Sequence, residues 1–297
     1  MVTQYCKRFN IIFALVKHKI NFQAHNSHCT KQFTKTINCD KIYSKQAKEL
    51  LHMSVANISK TRKIYFARLF GRCIILAIAI IMYIFFREEF NIAKGMNFFD
   101  KPSLLHILWG IWMWDMLLQL IPVKAHISIG SQKVFSNLFR PIKDKINKKN
   151  LKKYIADTTR AAYKVMVLWI ILIVLISGLY AGKIIDTGAM VLISVVFYVC
   201  DLICVLIWCP FRLIMKNKCC TTCRIFNWDH LMMFSHLICV NSFFSWSLFI
   251  FSAVIWIVWE VCVFTYPERF WENSNMALQC SECTDKLCTQ YCRKLRK

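Results

Sequence analysis

The length of the apolar runs constrains this chain more than any other feature. Residues 69–86, 103–121, 163–181 and 187–209 form four blocks close to the ~20 residues that a helix needs to cross roughly 30 Å of hydrocarbon. A fifth, 231–264, is longer than one crossing requires. Hydrocarbon offers no partner to a backbone N–H or C=O, so runs of this kind predict helices that satisfy themselves. The expected fold class is all-α: a polytopic transmembrane helical bundle with four full spans plus the final long apolar region. At about 1.5 Å per residue that region overshoots a bilayer as one straight helix. It is therefore either a re-entrant hairpin or a single tilted or broken span. Asn241, Ser242, Ser245 and Ser247 offer a place for the break. A content of 57% hydrophobic residues with only seven Gly excludes an ordinary soluble domain.

The charge gives an orientation. A net charge of +23 raises the possibility of nucleic acid, but the basic residues are placed for lipid. Residues 1–68, 122–164 and 210–230 sum to +11, +9 and +3, whereas 87–102 and 182–186 both sum to zero. Basic and neutral connections alternate between the spans. This is the pattern of the positive-inside rule with the N terminus, the 122–164 loop and the 210–230 loop in the cytoplasm. Attraction to anionic lipid accounts for the charge without a nucleic-acid partner.

Three regions follow. Residues 1–52 read as a disordered basic N-terminal extension, or as sequence upstream of a true start at Met53. Residues 53–264 form the transmembrane domain. Its basic loop 122–164 carries a helical pattern from Ile142 to Lys164, expected to lie on the membrane surface and run into the third span. Residues 265–297 are a cysteine-rich cytoplasmic tail.

The most specific local signal is cysteine. Cys219, Cys220 and Cys223 follow the fourth span, and Cys280, Cys283, Cys288 and Cys292 follow the last apolar region. A C-x-x-C turn aims two thiolates at one point, so the pairs Cys220/Cys223 and Cys280/Cys283 can together complete a tetrahedral site. Such a site needs both clusters on one side of the membrane, which favours the hairpin. Four thiolates suit an iron–sulfur cluster or zinc equally in ligand type, and seven cysteines exceed the needs of one zinc. Lipid-modified thiols and a dithiol redox pair compete with the metal site. Cys73, Cys239 and Cys262, within apolar blocks, read as small buried hydrophobes.

The run CCTTCRIFNWD, followed downstream by PERFWENSN and C-x-x-C-x4-C, resembles an uncharacterised family of bacterial multi-pass membrane proteins. The resemblance covers roughly residues 53–288. It implies a bacterial plasma membrane location and that these cysteines and the NWD sequence belong together. It carries no catalytic residue with it.

Within the spans, an ionisable group costs about 2.5–3.5 kcal/mol on insertion scales and needs a reason. Asp115 and Asp201 lie mid-span, Glu260 lies near the end of the last span, and His106 and His236 lie nearer the interfaces. A proton or cation pathway would want Asp115 and Asp201 facing the bundle interior, whereas interhelical hydrogen bonding is the structural alternative. Two functions follow: a juxtamembrane iron–sulfur protein passing electrons to a redox partner or quinone, and a transporter or channel with a structural zinc site. No nucleophile elbow, H-E-x-x-H or Walker sequence is present, so no enzymatic reaction is assigned.

Overall fold

In the computed structural model, the described residues are 60–93, 95–96, 98–100, 102–120, 139–142, 147–216, 223–279, 281–282 and 287. The expected N-terminal extension lies outside them. Among the described residues seven α-helices follow in order: α1 (Lys60–Phe85), α2 (Leu104–Leu120), α3 (Lys148–Ala181), α4 (Thr187–Leu206), α5 (Arg212–Met215), α6 (Asp229–Phe234) and α7 (Phe243–Thr265). Short 3-10 turns at Arg87–Ala93, Arg224–Trp228, Ser235–Cys239, Pro267–Phe270 and Met276–Leu278 connect or extend them. The described residues contain no strand, only two isolated bridges. The chain is an all-α bundle built for a membrane: α1, α3, α4 and α7 are long and apolar enough to cross one. α2 is shorter at 17 residues.

The chain alternates between two ends of the bundle, one rich in Lys and Arg and the other neutral. α1 runs antiparallel to α4. At the neutral end Tyr83 donates to Asp186 (3.2 Å), midway Arg72 meets Asp201 (2.8 Å), and at the basic end Tyr65 packs with Leu202 and Leu206. The close approach demands a glycine. A Cβ on Gly188 would stand 3.0 Å from the Tyr83 ring and 3.2 Å from that of Phe90. Asp186 caps α4 by accepting from the Ala189 N–H at 2.8 Å and from Arg87 at 2.7 Å. Burial alone would raise its carboxyl pKa, but the Ala189 N–H and Arg87 outweigh burial and hold it below the usual carboxylate value.

α3 departs from expectation. Rather than a surface helix joined to a span, residues 148–181 form one continuous helix of 34 residues, about 51 Å long. Asn147 caps it through the N–H groups of Lys149 and Asn150. No proline interrupts it where the basic half meets the apolar one.

The final apolar region is a hairpin. Its first limb runs from the 224–228 turn through α6 and the 235–239 turn, and its second limb is α7. At the basic end Trp228 donates to Glu260 of α7 (2.8 Å); at the neutral end the chain reverses at 240–242. The first limb thus rises from the level of Glu260 to that of Phe243, about 25 Å. The turn falls at the polar cluster, where backbone groups must find partners. Gly95, at φ +77°, supplies both. Its N–H donates to the Asn241 carbonyl (3.2 Å) and its carbonyl accepts from the Phe243 N–H (3.0 Å). Ser242 then caps α7 through the Ser245 N–H (3.1 Å).

Helix exposure sorts centre from periphery. Only 11% of the apolar window of α1 and 17% of that of α3 is buried, against 44% for α4. Ile74, Ile78, Ile81 and Ile84 of α1 and Val167, Leu168, Ile171 and Val174 of α3 accordingly face outward, an apolar girdle that only lipid covers well. Cys73 and Cys239 lie on this outer surface, not in the core as expected, and Cys262 is half-buried. Cys239 donates from that surface to the Ser177 hydroxyl of α3 at 3.1 Å, and Cys262 packs against the edge of the core. The core centres on Trp112, Phe98, Phe234 and Phe244, all fully buried.

The tail returns to the basic end. Ser274 and Asn275 are fully buried; the Ser274 carbonyl accepts from the Ile142 N–H (3.3 Å), and the Met276 N–H donates to the Arg140 carbonyl (2.9 Å). Trp271 lies against Tyr154 of α3, ring centroids 5.8 Å apart. The PERFWENSN sequence thereby fastens the tail to the loop before α3.

Candidate functional site

Four elements bring charge into the bundle interior. Arg72 of α1 faces α2 and α4. Its Nη1 lies 2.8 Å from Asp201 Oδ2 and donates to the Tyr198 carbonyl at 2.6 Å, and its Nη2 lies 3.9 Å from Asp115 Oδ2. The guanidinium also lies 3.7 Å above the centre of the Tyr198 ring, whose hydroxyl donates to Asp115 at 2.5 Å. Planar guanidinium, phenol and two carboxylates thus satisfy one another, an arrangement lysine would not reproduce.

A second set adjoins it. Gln119, one turn beyond Asp115 on α2, donates its amide to both oxygens of Asp229 at 2.9 Å each. Asp229 opens α6, where it also accepts from the His230 N–H at 2.8 Å and lies 3.1 Å from His230 Nδ1. A carboxylate only accepts, so with Asp229 ionised the Nδ1 carries the proton. Nε2 then accepts in the neutral ring and donates in the imidazolium.

These groups line a cavity of about 290 Å³, with Arg68, Arg72, Asp115, Gln119, Asp201, Asp229 and His230 on its walls. Three carboxylates face two guanidiniums, so the protonation of His230 decides whether the wall is neutral or singly negative. Two buried atoms on that wall, Gln119 Oε1 and His230 Nε2, have no hydrogen-bond partner among the described residues. Gln119 Oε1 offers an acceptor, and His230 Nε2 an acceptor in the neutral ring or a donor in the imidazolium, to a group in the cavity.

Asp115 and Asp201 are therefore brought together, each with an interhelical partner, Tyr198 for Asp115 and Arg72 for Asp201. Of the seven cysteines in the two clusters, Cys219, Cys220, Cys280, Cys283, Cys288 and Cys292 lie outside the described residues. Cys223 precedes the 224–228 turn and packs beside Met215, Ile225 and Trp228. Together with Cys200, Cys204 and Cys209 it lines a largely apolar cavity of about 250 Å³ that shares Asp201 and Asp229 with the charged one. Among the described residues no three His, Cys, Asp or Glu side chains stand close enough to hold a metal ion.

The other intramembrane polar groups have structural partners. Glu260 accepts from Arg224 at 2.6 Å and from Trp228 at 2.8 Å. His236, fully buried, lies 3.0 Å from the Met190 carbonyl and 3.1 Å from the Ser194 hydroxyl. His106 lies 2.6 Å from the Phe98 carbonyl.

Arg72, Gln119, Tyr198, Asp229 and His230 were not expected at this site. The available signal was spacing. Arg68/Arg72 and Asp115/Gln119 are four residues apart, and Tyr198/Asp201 are three, so each of three apolar helices shows one polar stripe.

Compared with protein-family models, curated proteins and solved structures, the chain matches none.

Proposed function

We propose that this chain is a proton-linked transporter or channel of the bacterial plasma membrane, whose pathway passes through the charged cavity. The carrying observation is that cavity itself: three carboxylates, two arginines and a histidine around about 290 Å³ inside an apolar bundle, with Gln119 Oε1 and His230 Nε2 unpaired among the described residues. Buried charge is costly in a membrane and is retained where ions or protons move. Asp229 and His230 form the exchanging pair. A proton arriving at Nε2 makes the imidazolium, which Asp229 steadies, and its departure restores the neutral ring. Arg72 holds Asp115 and Asp201 on the opposite wall. The basic end faces the cytoplasm in this reading, in line with the positive-inside rule.

Proteoliposomes loaded with a pH-sensitive dye and given a potassium diffusion potential test it. Proton entry above that of protein-free liposomes is expected, lowered about tenfold or more in Asp229→Asn and in Asp201→Asn, and retained in Arg87→Gln at the neutral end. No entry above protein-free liposomes, or equal entry in all variants, overturns the reading.

A second reading keeps a cysteine-ligated iron–sulfur cluster or zinc at the basic end, the cluster serving a redox partner or quinone. The hairpin favours it. Tyr154 has both Cys223 and Glu272 of the tail as electrostatic neighbours, so the tail leading to Cys280 starts beside the first cysteine group. Membership of the CCxxCRxxNWD family belongs with this reading.

A further inference from the structure

We propose that the groove between the lower half of α3 and the end of α7 binds one anionic phospholipid, its phosphate over Arg160 and Lys164 and an acyl chain along Val167, Leu168 and Phe264. The groove measures about 1140 Å³ and is walled by α3, Ile214 of α5, and Val263, Phe264 and Pro267. The proposal is independent of what the charged cavity conducts.

The occupant follows from where charge and apolar surface change over. Lys152, Arg160 and Lys164 all line the groove, and Arg160 and Lys164, four residues apart, are neighbours about 6 Å apart along α3. All three are exposed, and none forms an ion pair among the described residues. No carboxylate lines the groove. Arg224 behind it is already neutralised by Glu260 at 2.6 Å, while its other nitrogen donates to Thr159 on the groove wall at 2.7 Å. Lys152, Arg160 and Lys164 thus carry no ion-pair partner among the described residues.

The depth also fits. From Val165 to Ala181 α3 is apolar and rises about 25 Å, close to the thickness of the hydrocarbon. Lys164 therefore stands at the headgroup level, with Arg160 and Lys152 one and three turns beyond it. Val167 and Leu168, 55% and 54% exposed, begin the hydrocarbon level, and Phe264, 60% exposed, faces them from α7. A soluble anion would meet the cations but leave this wall uncovered. A zwitterionic lipid would cover the wall but bring its own cation to these side chains. An anionic phospholipid satisfies both, through phosphate contacts to basic side chains and chain contact with the apolar wall.

Native mass spectrometry of the full chain, released from micelles containing equal phosphatidylglycerol and phosphatidylcholine of identical chains, reads the preference directly. Retention of phosphatidylglycerol about tenfold over phosphatidylcholine is expected. The exposed-residue variant Lys152→Ala/Arg160→Ala/Lys164→Ala should bring the ratio to about one, while Lys149→Ala/Lys153→Ala, off the groove, should keep it. Excess glycerol phosphate should not displace the lipid. Equal retention of the two lipids, an unchanged ratio in the triple variant, or displacement by glycerol phosphate overturns the proposal.

Discussion

Arg72→Ala is expected to destabilise the protein by about 3–5 kcal/mol, the cost of leaving a buried charge without its partner. The arginine side chain is 13% exposed and that of Asp201 16%. Its removal leaves Asp201 without a cation at 2.8 Å and Asp115 without its distant one at 3.9 Å, and takes the guanidinium from the Tyr198 ring. Asp115 keeps the Tyr198 hydroxyl, so the loss falls mainly on Asp201. Arg72→Ala/Asp201→Asn should therefore recover most of the stability, because the neutral amide no longer needs a countercharge. Arg72→Lys should fall between, since one ammonium cannot bridge both carboxylates and lie flat on the ring. Unfolding of the purified protein in mixed micelles with a titrated denaturing detergent measures all three. A single-variant loss under about 1 kcal/mol, or a double variant no better than the single, would show that Arg72 does not neutralise Asp201.

The second large effect lies at the base of the hairpin. Glu260→Ala is expected to cost about 3–5 kcal/mol, because it strands Arg224, whose side chain is only 6% exposed, and takes the acceptor from Trp228. Glu260→Gln keeps an acceptor for Trp228 and should lose less, about 1–3 kcal/mol. The damage should also be local. Arg224 and Trp228 both belong to the turn from which the first limb rises, so hydrogen exchange at the amides of 224–234 should quicken before that of α1 or α4. Uniform quickening across the bundle would instead mean that Glu260 supports the whole core and does not anchor the limb.

The spans were legible because hydrocarbon imposes length: a run of apolar residues near twenty fits little besides a membrane crossing, and the polar cluster at 241–247 marked the one place where the fifth could turn. Asp115 and Asp201 were legible as candidates because each is isolated in an apolar run. Arg72 was not. It follows Lys60, Arg62, Lys63 and Arg68, so it reads as the end of a basic flank, although it lies within the first apolar block. Asp229 and His230 were hidden differently. They follow the cysteine motif and read as a connection at the membrane surface, and only the hairpin carries them inward beside Gln119. Tyr198 looked like one more aromatic of an apolar helix, since nothing local shows that its hydroxyl reaches a carboxylate 83 positions away. A site assembled from α1, α2, α4 and α6 depends on which helix faces which, and helical periodicity alone leaves that pairing open.

The charged cavity and the placing of Cys223 and Glu272 near the same residue, Tyr154, both depend on the hairpin of 224–265. With it the chain crosses an even number of times between the basic loop and the C terminus, so both lie on one side. An epitope inserted at position 130 and another following Lys297, probed by antibody and protease in sealed vesicles of a single orientation, measure this directly. Both epitopes should be accessible from the same face and protected from the other. Epitopes on opposite faces would contradict the account, since a single crossing removes Asp229 and His230 from the cavity and separates the two cysteine groups.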